Sequence, residues 1–271
     1  MRRALKSLSY FLIYCFALVT YSVAAQQTTA DDSSRWDNVK QAIFKQAAIR
    51  EDENSIQLEA PNRAYDAAIV PLKVNVSLEQ GHVEKLFIVV DNNPAPLAAT
   101  FNFKTRQSKM EIQTRIRINE YTHVRAIAQT SSGDYLMSKA FVKAAGGCSA
   151  PMLSDQEAAL ARAGKMKFKI GESSEQLPQS SIGQVLISHP NNSGMQFDQI
   201  SRNYIPAYFI NQVSVRLDDE ELFVLETNFS LSENPSIHFS FDMEQKPDSV
   251  ISVKAIDSNN SSFENTWKIK G

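Results

Sequence analysis

The sequence predicts a mainly β protein: two antiparallel β-sandwich domains joined by a short linker with a small helix, and preceded by a short N-terminal helix. Three observations carry this. Apolar and polar side chains alternate with a period of two along most of the chain, most clearly at Met110-Glu111-Ile112-Gln113-Thr114-Arg115-Ile116-Arg117-Ile118. That period gives a strand one buried and one wet face. Such runs recur in both halves, separated by turn residues rather than by helical stretches, which is the pattern of a sandwich. The pattern breaks once, between residues 148 and 163, where a linker separates two stretches of about domain length in a chain of 271 residues.

Residues 1–25 read as a secretory signal. Arg2, Arg3 and Lys6 form a basic start, Leu8 to Val23 is mostly apolar, and Val23-Ala24-Ala25 offers small residues for cleavage. The apolar run is interrupted by Ser9, Thr20 and Ser22 and no second one follows, so no membrane span is expected after the signal is removed. The expected location is the periplasm. Gln26 to Asp32 is polar; beyond it Ser34 caps a short helix whose apolar positions are Trp36, Val39, Ile43, Phe44 and Ala47.

The first sandwich is expected over 33–147, with strands at 56–59, 69–77, 83–91, 98–104, 110–118, 121–130 and 135–143. Turn signals such as Asp91-Asn92-Asn93-Pro94 and Ser131-Ser132-Gly133-Asp134 separate them. Residues 148–163 form an arm and linker, in which Ser154 caps a one- to two-turn helix over Asp155–Arg162 that Gly164 closes. The second sandwich occupies 164–271, with strands at 165–170, 183–188, 204–217, 220–226, 235–243, 248–257 and 262–270.

Composition removes several classes of function. The signal takes away three of 28 basic residues, leaving 25 against 30 acidic ones and a net charge of −5. With no basic cluster, that surface repels phosphate, and nucleic acid is not a partner. No phosphate loop, zinc-protease motif, dinucleotide fingerprint or serine elbow occurs, so the chain is not expected to be an enzyme and no cofactor is called for. His82, His123, His189 and His238 stand singly and suggest no metal.

Cysteine is the informative residue. Cys15 leaves with the signal, so Cys148 has no partner for an internal disulfide. It follows Gly146 and Gly147, which give the backbone freedom to bend, and precedes Ser149-Ala150-Pro151. This setting predicts an exposed, mobile thiol able to hold a sulfur or acyl group, with Lys143 as the nearest cation along the chain. Nine residues from Gly146 to Ser154 reach roughly 30 Å at most when fully extended, and less with both ends tethered.

The first half resembles the Y subunit of the SoxYZ carrier of bacterial sulfur oxidation. The residues are Ala60-Pro61, Val70-Pro71, Asn92-Asn93-Pro94-Ala95-Pro96, Thr114-Arg115-Ile116-Arg117 and the strand from Val142 into Gly146-Gly147-Cys148. The second half resembles the Z subunit through His189-Pro190, Ile205-Pro206-Ala207-Tyr208-Phe209-Ile210 and Ser232-Glu233-Asn234-Pro235 leading into Phe239. The resemblance implies immunoglobulin-like sandwiches docked on one another, Cys148 as the attachment point on an arm made flexible by Gly146 and Gly147, and periplasmic oxidoreductases as partners that perform the chemistry. In the family the arm is a free Gly-Gly-Cys-Gly-Gly terminus, whereas here the chain continues through Ser149. Fused chains of this kind are associated with quinoprotein dehydrogenases, which implies a second role, a non-catalytic accessory module of a pyrroloquinoline quinone alcohol dehydrogenase system.

Overall fold

The computed structural model describes residues 35–151, 155–171, 177–178, 180–242 and 248–269. The chain divides into two compact units, residues 1–46 and 47–271. In the first, helix α1 spans 35–44, and Trp36, Val39, Ile43 and Phe44 are less exposed than Asp37 and Asn38 between them. Ser34 lies outside the described residues, and Ala47 falls beyond the end of α1.

The second unit is almost entirely β. Its first half holds β1 (Ile49–Glu51), β2 (Ile56–Glu59), β3 (Val70–Ser77), β4 (Val83–Val90), β5 (Leu97–Phe103), β6 (Lys109–Ile116), β7 (Thr122–Thr130) and β8 (Tyr135–Val142). The short helix α2 (Gln156–Ala161) follows, capped by the Asp155 side chain accepting from the Ala158 N–H; Ser154, the expected cap, lies outside the described residues. The second half holds β9 (Met166–Gly171), β10 (Ser181–Ile187), β11 (Phe197–Asp198), β12 (Asn203–Tyr204), β13 (Ile210–Leu217), β14 (Glu220–Thr227), β15 (Ser236–Phe241), β16 (Val250–Asp257) and β17 (Ser262–Lys268).

The expected strands are present to within two residues at each end, with two differences. β1 is too short to show a period and exists because it pairs in parallel with β8. The single run expected over 204–217 is two elements, β12 and β13. Pro206 has no N–H to give to a ladder, and Ile205 and Tyr208 turn their amides to Gln196 and Asn192 instead.

Fifteen of the strands form two sheets, and each sheet passes from the first half into the second. One has the order β1-β8-β7-β4-β5-β14-β13-β16-β17, the other β2-β3-β6-β15-β10-β9. The junctions are antiparallel: β5 with β14, Phe103 opposite Phe223, and β6 with β15, Ile112 opposite Phe239. One hydrophobic core runs through both halves. Phe223 ties the layers at the junction, with ring centroids 5.6 Å from Phe101 and 5.2 Å from Phe239. At this point the outward-facing end of β6 is covered by the other half, and that end leads into the site.

Candidate functional site

The segment after β8 folds back across the end of the sandwich. Lys143 still bridges to Arg63, and then the Gly146 and Gly147 amides donate to the carbonyls of Asn119 and Ile118 at 2.8 and 2.9 Å. Gly146 has φ of +80° and open space where a Cβ would stand. Gly147 is different. A Cβ there would lie 2.0 Å from the Ala67 carbonyl oxygen and 2.6 Å from that of Ile118, so glycine is required for close packing. In this conformation Gly147 is pinned between two backbones, a packing role that the flexibility expected of Gly147 did not include.

The expected exposed thiol is also corrected. Cys148 is fully buried, at 0% relative exposure. Burial pushes its pKa up to about 11, against the opposing pull of Arg117. A neutral thiol is a poor nucleophile. The cation beside it is Arg117, not Lys143 as the chain order suggested.

Arg117 is itself only 1% exposed. Its guanidinium donates to the Gly147 carbonyl at 3.1 Å and to the Asn191 carbonyl of the second half at 3.4 Å, and its Nε has no hydrogen-bond partner. Burial lowers its pKa, while Cys148, Glu233 and Asp66 favour its charge. Asn93 fixes the strand end by donating to the Arg117 carbonyl and accepting from the Asn119 amide. The site is thus assembled from three loops of the first half and one of the second.

The second half supplies the remaining contacts from residues 189–196. The Ser193 hydroxyl donates to the Cys148 carbonyl, and Gln196 Nε2 donates to the Ala150 carbonyl at 3.2 Å. Asn191, at φ +46°, is held by its amide donating to His189 Nδ1 and its side chain bonding Ile210 and Leu231. Behind it, His189 Nε2 lies 4.0 Å from Asp257 Oδ2, and the His189 ring packs on Tyr208 at 4.3 Å. Burial lowers the His189 pKa to about 4 despite Asp257. It is a neutral buttress.

Among the described residues no group of three His, Cys, Asp or Glu side chains could hold a metal ion, and no helix is long and apolar enough to cross a membrane. Sequence reasoning missed Arg117, Asn191, Ser193 and Gln196 as parts of the site. The motifs carrying the resemblance did contain a signal: Asn93 donates to the Arg117 carbonyl and Arg117 to that of Gly147, while Asn234 accepts from the His189 amide and the His189 ring from that of Asn191.

Comparison with known families bears on this geometry. The family model for the sulfur oxidation protein SoxY matches residues 40–148, ending on Cys148, and that for the sulphur oxidation protein SoxZ matches 178–268. The chain is a fused SoxYZ-like protein. The solved structure of the sulfur carrier protein SoxY from Chlorobium limicola f thiosulfatophilum is 25% identical, covering 44% of this chain and 98% of its own, with a TM-score of 0.38. A β-glycosidase from Bacteroides vulgatus aligns at 6% identity over 80% of this chain and 25% of its own, with a TM-score of 0.24. No curated protein matches the chain. The SoxY-like half therefore supplies the cysteine, and the SoxZ-like half supplies Ser193 and Gln196, which bond the chain around it.

Proposed function

We propose that this SoxYZ-like chain is a periplasmic covalent carrier, in which Cys148 holds a group that partner oxidoreductases load, modify and release. One observation carries the reading: the SoxY match ends on Cys148, the one cysteine outside the signal-like residues 1–25, and the fold places Arg117 beside it. Loading needs the thiolate. Joining Cys148 to a second thiol-level sulfur releases two electrons and the thiol proton, which a partner oxidoreductase accepts; transfer from an already activated donor releases only the leaving group and the proton. The chain itself supplies no oxidant, and its role is to present and protect the thiol.

Burial of Cys148 favours a second reading, in which the chain is a non-catalytic accessory module of a periplasmic quinoprotein dehydrogenase and the cysteine is structural. Intact mass of protein taken from the periplasmic fraction without reductant separates the two. The carrier reading expects a mass excess that reductant or hydroxylamine removes and that Cys148→Ser lacks. Unmodified mass under growth conditions that require the protein, together with full support of growth by Cys148→Ser, would select the accessory module.

A further inference from the structure

We propose that residues 191–196 of the SoxZ-like half are a latch that holds the Cys148 arm shut, with Ser193 and Gln196 as its closing side chains, so that the thiol becomes reactive only when the latch releases. The proposal deepens the carrier reading and rests on it for its purpose, but the geometry stands without it.

The arm is held through its carbonyls. Three of the four carbonyls from Gly147 to Ala150 are each taken by a side chain from outside the arm: Gly147 by Arg117, Cys148 by Ser193, and Ala150 by Gln196. Two of the three donors belong to the other half of the chain. None of these bonds reads a side chain of the arm. Such a grip holds the arm without touching the sulfur, and it shuts the sulfur inside.

The latch is built as a unit. Gln196 Oε1 accepts the Ser193 amide at 3.0 Å while its Nε2 faces the arm, and Ser193 Oγ accepts the Met195 amide while donating to Cys148. Both side chains therefore have one bond that shapes their own loop and one that holds the arm. The Gln196 carbonyl also accepts the Ile205 amide at 2.8 Å, closing the base of the β11–β12 hairpin. Displacing that hairpin displaces Gln196. Cys148 is at 0% exposure in the closed form, so a loading partner reaches it only after opening.

The two functions of Gln196 allow a sharp test. Gln196→Glu keeps the oxygen that accepts from Ser193 but replaces the donor facing the Ala150 carbonyl with a second acceptor, so the loop keeps its shape while the grip becomes a repulsion. Alkylation of the full chain by N-ethylmaleimide is measured at pH 7.5 for wild type, Gln196→Glu, Ser193→Ala and Ser193→Thr, alongside melting temperature; Cys148→Ser sets the background. One net hydrogen bond shifts an opening equilibrium about fivefold and its conversion to a repulsion by more, so Ser193→Ala should react about fivefold faster and Gln196→Glu roughly 10- to 50-fold faster. Ser193→Thr keeps the hydroxyl and should stay near wild type. Both positions are buried, so melting temperatures should fall by several degrees, and the rates are compared at 25 °C, where every variant is folded. Equal rates for wild type and Gln196→Glu would overturn the latch, as would rates that rise only in step with a fall in global stability. The carrier reading fails separately: if no adduct is ever found on Cys148 but the variants alkylate faster, the latch stands and the carriage does not, whereas an adduct with invariant rates leaves the reverse.

Discussion

Cys148 carries no charge in the closed protein because its burial outweighs the attraction of Arg117. The consequence is a stability that depends on pH on the alkaline side. The folded-state pKa of about 11 stands above the ordinary value of 9.0, so the folded protein binds the thiol proton more tightly than the unfolded chain does. That stability is fully present below pH 9 and is lost as pH rises toward 11, by roughly 2–3 kcal/mol. Tyr208, raised to about 12, acts in the same sense at higher pH. Urea unfolding at pH 8 and pH 10.5 should therefore show a steeper loss for wild type than for Cys148→Ser. Parallel losses in the two proteins would mean that the thiol is not protected in solution. Arg117 was the residue that the sequence hid best. The alternation along β6 assigned it to the wet face with Glu111, Gln113 and Arg115, and its burial comes from the other half of the chain, which no period within β6 can report.

Most strands, their turns and the linker helix were legible because they are specified by their own residues: a period of two, a cluster of turn formers, a short helix-forming run. The arm was misread for the complementary reason. Gly146-Gly147 has the composition of a flexible hinge, and the two glycines are in fact doing different things. Gly146 supplies a positive φ in open space, whereas Gly147 lets the chain pass against the Ala67 and Ile118 carbonyls. Local composition cannot distinguish freedom from close approach. Substitution can. Gly147→Ala puts a Cβ 2.0 Å from a backbone oxygen, and overpacking of that kind costs about 1–3 kcal/mol. The expected result is an arm expelled from its seat, with Cys148 alkylated at least tenfold faster and the sandwich intact by far-ultraviolet circular dichroism. Gly146→Ala bears only the strain of its φ, about 1 kcal/mol, and should alkylate more slowly than Gly147→Ala. The opposite order would show that the turn at Gly146, and not the close packing of Gly147, holds the arm in its seat.

Two continuous sheets make a claim about how the halves hold together. If the SoxY-like and SoxZ-like halves parted, β5, β14, β6 and β15 would each become an edge with unpaired amides and carbonyls, and the contact of Phe223 with Phe101 across the boundary would be lost. Long unpaired edges beside a broken core are unfavourable and prone to aggregation. Arg117 and the latch add polar contacts across the same boundary. The covalent link between Ala150 and Gly164 should therefore be dispensable for association while remaining essential for confining the arm. A protease site placed at residues 152–154 and cut after folding tests this. The two fragments should co-elute on gel filtration at the volume of the intact chain, melt in one transition, and alkylate faster at Cys148, because the arm would keep its hydrogen bonds but lose its C-terminal tether. Fragments that separate at micromolar concentration would show that the shared sheets contribute too little to hold the halves, and that the fusion acts as a tether between two independent sandwiches.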